Sequence, residues 1–229
     1  MLKSLRLGTV ISAIFLGVVP AALSEAVAEV APGAPQNRVP AGCTIEGTPG
    51  KDSLVGTEHH DVICGGVGND KIEGLGGNDV LIGGPGKDHL LGDRGDDRIW
   101  GSRGKDRIQG SAGQNRLYGG YHADHLYGSS NRDVIFGGRS SDYINGAYGN
   151  DRLFGSGGRD HITGDYGNDL IAGGRGNDRC LTGLDRSGGD FIRGGSGGDR
   201  YEADPGDRVR GAERTTSGPH NFPCDPGPS

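Results

Sequence analysis

The chain has 229 residues, of which 48 are Gly, 32% are hydrophobic and 6% aromatic. An average protein carries about 7% Gly, and so little apolar side chain argues against an ordinary globular enzyme domain of this size. The formal charge is -6 and no run of Lys or Arg interrupts it, which argues against nucleic acid or an anionic membrane as a partner.

At the N-terminus, Lys3 and Arg6 precede an apolar run from Leu7 to Val19 and then small residues around Ala22-Leu23-Ser24 and Ala26-Val27-Ala28. This order predicts a secretory signal peptide over residues 1–28, the run being short for a membrane span, which needs about 20 apolar residues. Cleavage after Ala28 would remove Lys3, Arg6 and Glu25 and leave a charge of -7. Nothing afterwards is apolar enough to cross a bilayer, so the expected location is outside the cell. Residues 29–46 read as an N-terminal cap. In an oxidising compartment the four cysteines have three possible connectivities, of which local pairing, Cys43 with Cys64 and Cys180 with Cys224, is the most economical.

From Gly47 to Leu181 the sequence divides without a gap into 15 units of nine residues, a self-similarity that outranks any local propensity. Gly65-Gly66-Val67-Gly68-Asn69-Asp70-Lys71-Ile72-Glu73 is representative, as are the units Gly83 to Leu91 and Gly173 to Leu181. Every unit starts with Gly. The sixth residue is Asp except for Asn115, and the eighth is Leu or Ile except for Cys180. Collagen would need Gly at every third residue and a disordered chain needs no period at all. After Leu181 the register slips by three residues and resumes through Asp190-Phe191-Ile192 and Asp199-Arg200-Tyr201. Residues 182–209 are therefore an irregular continuation, and residues 210–229, polar and rich in Pro and Gly, a tail or cap.

The last three residues of each unit suit one short strand, whose middle side chain points inward while its neighbours face out. That assigns the series Leu54, Ile63, Ile72 and onward to Ile171 to the core. The first six residues must then turn the chain, which Gly tolerates and bulkier residues do not.

These units resemble the glycine- and aspartate-rich nonapeptides of the RTX, or haemolysin-type calcium-binding, family, with the pattern Gly-Gly-x-Gly-x-Asp-x-apolar-x, over about 160 residues. The resemblance implies an all-β parallel β-roll, a β-solenoid with two repeats per coil, so that residues 18 apart stack at about 4.8 Å. Asp52, Asp70, Asp88, Asp106, Asp124, Asp142, Asp160 and Asp178 then form one file and Asp61, Asp79, Asp97, Asp133, Asp151 and Asp169 the opposite one, with Asp190 and Asp199 in the continuation. Neighbouring carboxylates at about 5 Å repel by about 3 kcal/mol at an effective dielectric of 20. Several Ca2+ ions between coils would reverse that sign, held by two Asp each and by carbonyls of turns such as Gly65–Gly68, Gly83–Gly86 and Gly173–Gly176, an all-oxygen shell that suits calcium better than magnesium. A core of one Leu or Ile per unit is small against the entropy of ordering so Gly-rich a chain, so folding is expected to be coupled to calcium binding. The fourth position departs from Gly at His59, His122, Asn131 and Ser140, which marks residues 119–145 as the region of weak sites.

Two His clusters, His59-His60-Asp61 and His122-Ala123-Asp124-His125, suit zinc or copper and equally suit solvated turn positions. No His-Glu-x-x-His or Gly-x-Ser-x-Gly stretch is present, so no enzyme is expected. The ninth position carries Trp100, Tyr118, Tyr127, Phe136 and Phe154, and the seventh Arg98, Arg107, Arg116, Arg152 and Arg179. Facing outward, these form either a ladder for an extracellular polysaccharide or cell-surface component, or edge packing with salt bridges to the Asp files.

Overall fold

A computed structural model describes residues 42–182, 189–203, 205–211 and 213–214. The expected signal peptide and the second bridge, Cys180 to Cys224, lie outside the described residues, as do residues 29–41 of the cap and the end of the tail.

Alternate units feed alternate sheets. Strands such as Val62–Cys64, Val80–Pro85, Arg98–Arg103 and Arg116–Tyr121 belong to a first sheet, and Lys71–Glu73, His89–Leu91, Arg107–Gln109 and His125–Ser129 to a second, each ten-stranded and parallel among the described residues. Partners in the ladder are Ile63 with Leu81, Leu81 with Ile99 and Ile99 with Leu117, so two nonapeptides make one coil. The resulting β-solenoid confirms the fold expected from the repeat. Ile63, Ile72, Leu81 and the successive eighth-position residues to Ile171 are fully buried between the sheets, joined by Ile192, while Leu54 in the first coil is only partly covered. Among the described residues no helix is long and apolar enough to cross a membrane.

Four details differ from the expectation. Many strands have six residues rather than three, because pairing continues through the first three positions of the following unit, as in Gly84 with Ser102 and Pro85 with Arg103. The roll already begins in the presumed cap, where Ile45–Glu46 pairs with Ile63 and Cys64. At the far end Glu213–Arg214, inside the presumed tail, pairs with Arg200 and Tyr201. Finally, the ladder slips by one residue at Cys180: Ile162 faces Leu181, not Cys180. A bulge therefore explains the one eighth position that is neither Leu nor Ile. The three-residue slip is absorbed between coils, since Ile171 pairs with Ile192 and the regular ladder continues.

The bridge from Cys43 to Cys64 is present, with Cα atoms 6.0 Å apart. It lies beside a second buried group on the outer face of the first sheet, formed by Val62, Cys64, Val80, Ile82, Trp100 and Tyr118.

The fourth-position glycines are the tightest points of the coil. Gly86 has φ of 155°, and a Cβ there would lie 1.4 Å from the carbonyl oxygen of Gly68 on the preceding coil. No rotamer relieves a backbone clash. Gly86→Ala is expected to cost on the order of 3 kcal/mol, whereas Gly157→Ala, whose Cβ would meet nothing closer than 3.9 Å, should stay within about 0.5 kcal/mol of the parent. Thermal melts of both variants in saturating calcium check this, and equal melting temperatures would refute it.

Candidate metal centre

Each sixth-position Asp closes a turn, and its two oxygens have separate fates. The backbone N–H of Asp52 donates to Oδ1 of Asp70 at 2.9 Å, that of Asp70 to Asp88 at 2.8 Å and that of Asp88 to Asp106 at 2.9 Å. The chain of bonds continues through Asp124, Asp142, Asp160, Asp178 and Asp199. The second file runs Asp61, Asp79, Asp97, Asn115, Asp133, Asp151, Asp169, Asp190. The structure thus brings the sequence-predicted aspartates together in two files, one at each turn edge. Every Oδ1 ties its coil to the one before.

Oδ2 points into the turn. In Asp70, Asp79, Asp88, Asp97, Asp106, Asp124, Asp142, Asp151, Asp160, Asp178 and Asp199 it is buried without a hydrogen-bond partner, an expensive state for a carboxylate oxygen. The exception in the repeat shows what the turn offers it. Nδ2 of Asn115 occupies the place of Oδ2: a Cβ built on Gly110 would lie 2.6 Å from it, as one built on Gly101 would lie 2.5 Å from Oδ2 of Asp106. There the amide donates to the carbonyls of Ser111 at 3.3 Å and Gly113 at 3.2 Å. The turn therefore presents acceptors, and a carboxylate oxygen beside them needs a proton or a cation in place of the amide hydrogens. Among the described residues no three His, Cys, Asp or Glu side chains converge on one point, so a cation would be held by Oδ2 together with peptide carbonyls. That all-oxygen donor set fits a hard divalent ion such as Ca2+.

Three turns resolve the problem differently. Thr48 donates its N–H to Oδ2 of Asp52 at 2.7 Å, and Thr57 donates both N–H and hydroxyl to Oδ2 of Asp61 at 2.7 and 2.8 Å. Ser129 donates its hydroxyl to Oδ2 of Asp133 at 3.1 Å. In two of these turns the same hydroxyl accepts the N–H of the fourth-position residue, His59 or Asn131. These residues lie outside the left-handed region, while His122 and Ser140 enter it at φ of 76° and 81°. The sequence reading missed these hydroxyls; a Thr or Ser in place of the second Gly permits them but does not mark them alone, since Ser102 and Ser156 stand there with left-handed backbone and leave Asp106 and Asp160 unpartnered. Within the stretch 119–145, Asp133 has the Ser129 hydroxyl on its second oxygen, whereas Asp124 and Asp142 in the other file keep unpartnered oxygens.

Burial is the main reason these groups resist ionisation. It pushes Asp79 and Asp133 up to about 6, Asp97, Asp106 and Asp160 to about 7, Asp88, Asp142 and Asp151 to about 8 and Asp124 to about 9. The backbone N–H on each carboxylate pulls the other way but does not win.

The other candidates fare differently. His59, His60 and His122 are exposed, and the Nδ1 atoms of His60 and His122 contact the carbonyls of Asn78 and Tyr121. Trp100, Tyr118, Phe136 and Phe154 do form a continuous stack with ring centroids 4.7 to 5.3 Å apart. Trp100 and Tyr118, however, are only 4% and 3% exposed, which removes their faces and edges from a sugar surface. Tyr127 stands on the other sheet, under Arg107 and beside Tyr143.

The profile of the RTX calcium-binding nonapeptide repeat matches residues 44–72, 65–99, 73–108, 100–134, 118–147, 145–180 and 184–209. A search of curated proteins returned no match.

The raised values fix the sign of the pH dependence of the metal-free roll. A carboxyl whose folded pKa lies above the unfolded value of about 4 takes up a proton more readily in the fold. Its contribution is complete below about pH 4 and is lost as pH rises through the range from about 6 at Asp79 to about 9 at Asp124. In excess chelator the melting temperature should therefore fall steadily between about pH 5 and pH 8. A flat or rising profile would contradict the buried, unpartnered state of these carboxylates.

Proposed function

The chain belongs to the RTX calcium-binding nonapeptide repeat family, and from that premise we propose a secreted, non-catalytic protein that holds several Ca2+ ions between its coils and whose folding is coupled to their binding. One observation carries the reading: two files of buried carboxylates in which Asp70, Asp88, Asp106, Asp124, Asp142, Asp160, Asp178 and Asp199 along one and Asp79, Asp97 and Asp151 along the other keep an oxygen with no donor, while an amide or a hydroxyl supplies one at Asn115, Asp61 and Asp133.

Within this reading the ligands are Asp70, Asp88, Asp106, Asp124, Asp142, Asp160, Asp178 and Asp199 along one edge, and Asp79, Asp97, Asp151, Asp169 and Asp190 along the other. Carbonyls of the glycine turns, among them Gly65–Gly68, Gly83–Gly86 and Gly173–Gly176, complete the set. Asp52, Asp61 and Asp133 are poorer ligands because Thr48, Thr57 and Ser129 already donate to them. A bound divalent cation supplies the positive charge that lets neighbouring carboxylates ionise together. The chain contributes the spacing and the dehydration, and its Oδ1 bonds hold the files in line whether or not the carboxylates are charged. Secretion is supported by the leader-like sequence and by the Cys43–Cys64 bridge, which suits an oxidising compartment. A second reading, contact with an extracellular polysaccharide, is favoured by an open groove lined by Arg98, Arg116, Arg132 and Arg152.

Asp124→Asn separates the calcium reading from a purely structural role of the aspartates. Following Asn115, the amide should satisfy the turn from within, so the variant in chelator should melt higher than the parent. In calcium it should bind fewer ions by calorimetric titration. Coupled folding is read from circular dichroism during the same titration of the metal-free chain, where strand signal and melting temperature should rise in step with ion binding. Strand content equal in chelator and in millimolar calcium would sink the coupling, and an unchanged stoichiometry in the variant would sink the ligand assignment.

A further inference from the structure

The groove lies on the turn edge of the first sheet, across the interruption in the Asp file. It encloses about 710 Å³ and carries four guanidinium groups, those of Arg98, Arg116, Arg132 and Arg152. Arg98 pairs in register with Arg116, Arg116 with Val134, and Val134 with Arg152. Three of the arginines therefore stand on one row of successive coils, spread over about 14 Å at the spacing of parallel strands, and Arg132 reaches in from the adjoining turn. All four are exposed.

None of them makes an ion pair at contact distance, although the charge of Arg132 acts on the buried Asp151 carboxylate. Among the described residues the ion pairs are Lys71 with Glu73 and Arg94 with Glu58, both elsewhere on the molecule. The acids that face the groove are Asp96, Asp97 and Asp79. Asp97 and Asp79 are buried in the file with their Oδ1 atoms on backbone amides, and Asp96 accepts the N–H of Gln114. The carboxylate that would stand beside Arg116 is absent, because that rung of the file is Asn115, whose amide is consumed by its own turn. A protein of net charge -6 thus gathers four cations where its acidic file is interrupted, three of them, Arg98, Arg116 and Arg152, in one row.

We infer that this groove binds a short stretch of an acidic polysaccharide, its carboxylate or sulfate groups seated on the arginine row and its hydroxyls on the amides between them. Guanidinium groups take planar and tetrahedral oxyanions in bidentate fashion. The rise from one coil to the next, about 4.8 Å, is close to the length of one sugar residue, so charges of such a chain fall in step with Arg98, Arg116 and Arg152, passing over the uncharged rung at Val134. Gln114 lines the same groove and offers donor and acceptor to hydroxyls, which a bare phosphate chain would leave unused. A long nucleic acid is disfavoured because the basic patch ends within a few coils on an otherwise acidic surface. This inference rests on the calcium-bound roll only for its folded frame, and it specifies the polysaccharide reading by site and chemistry.

The test uses the calcium-loaded chain and four probes: trigalacturonate, sulfated maltotriose, neutral maltotriose and trithymidylate. Calorimetry should show salt-sensitive binding of trigalacturonate or sulfated maltotriose, the stronger of the two identifying carboxylate or sulfate as the native group, with neutral maltotriose and trithymidylate at least about tenfold weaker. The Arg98→Gln/Arg116→Gln double variant should lose about tenfold or more per arginine removed, and Arg152→Gln alone about tenfold, while Arg159→Gln on the other edge should bind as the parent does. Circular dichroism on each sample separates a failed fold, which would count against the calcium reading, from a failed groove. Failure of both anionic sugars to bind the folded roll would overturn the inference. So would equal binding of either control probe, or affinity unchanged in the folded double variant.

Discussion

The roll is governed by one constraint: a carboxylate recurs at the same place in every coil, and coils cannot move apart without breaking the parallel ladders. Oδ1 makes the Asp useful, since it caps the amide of the preceding Asp and so helps to set the 18-residue register. Oδ2 makes it costly, because the same geometry buries a second oxygen among acceptors. Removing the charge by substitution is possible and occurs once, at Asn115, so the fold itself does not require the acid. Retaining acid at nearly every other rung is what ties the protein to a counter-charge.

Three ways of supplying that counter-charge follow from the turns themselves. Asn115 brings hydrogens on its own amide, Thr48, Thr57 and Ser129 bring them from a hydroxyl or the N–H beside it, and the remaining turns admit a proton or a divalent cation. Protons and cations compete for the same oxygen, which is why burial, by raising these acids toward neutrality, sets both the pH sensitivity of the bare roll and its dependence on metal. A softer, nitrogen-seeking ion finds nothing comparable in these turns: their donors are all oxygen, and of the histidines singled out in the sequence, His59, His60 and His122 lie exposed at the turns while His125 stands in a strand against Tyr143.

Much of this was legible from the sequence because a strict repeat makes each residue's environment nearly identical to that of its counterpart 18 residues on. The eighth-position column follows from the period and the Cys43–Cys64 bridge from proximity, while the two Asp files follow from the period together with the two-repeat coil that the family resemblance implies. What was not legible lies where one unit differs from its neighbours. The hydroxyl turns need a Thr or Ser in place of Gly and a backbone outside the left-handed region at that residue, and the bulge at Cys180 is a one-residue slip of the ladder that the period does not announce. The aromatic column was read as outward, and it is outward relative to the sheet, yet Trp100 and Tyr118 are buried; period tells which way a side chain points from its strand and not what lies over it.

The distribution of the three devices along the roll is itself informative. Asp52 and Asp61, in the first two units, both have donors on their second oxygens, and the same coil is fastened by the disulfide from Cys43 to Cys64. The start of the roll is therefore the part that asks least of a cation, and it presents a completed rung, with Asp52 and Asp61 N–H groups aimed at Asp70 and Asp79, to coils that ask much more. In a solenoid each coil is stabilised mainly by its neighbour, so an end that is satisfied from within gives the metal-dependent coils a fixed surface on which to stack. The later interruption at Asn115 and Asp133 affects one edge only. There the opposite file, through Asp106, Asp124 and Asp142, carries the continuity of the roll while the relieved edge is left free to expose arginine.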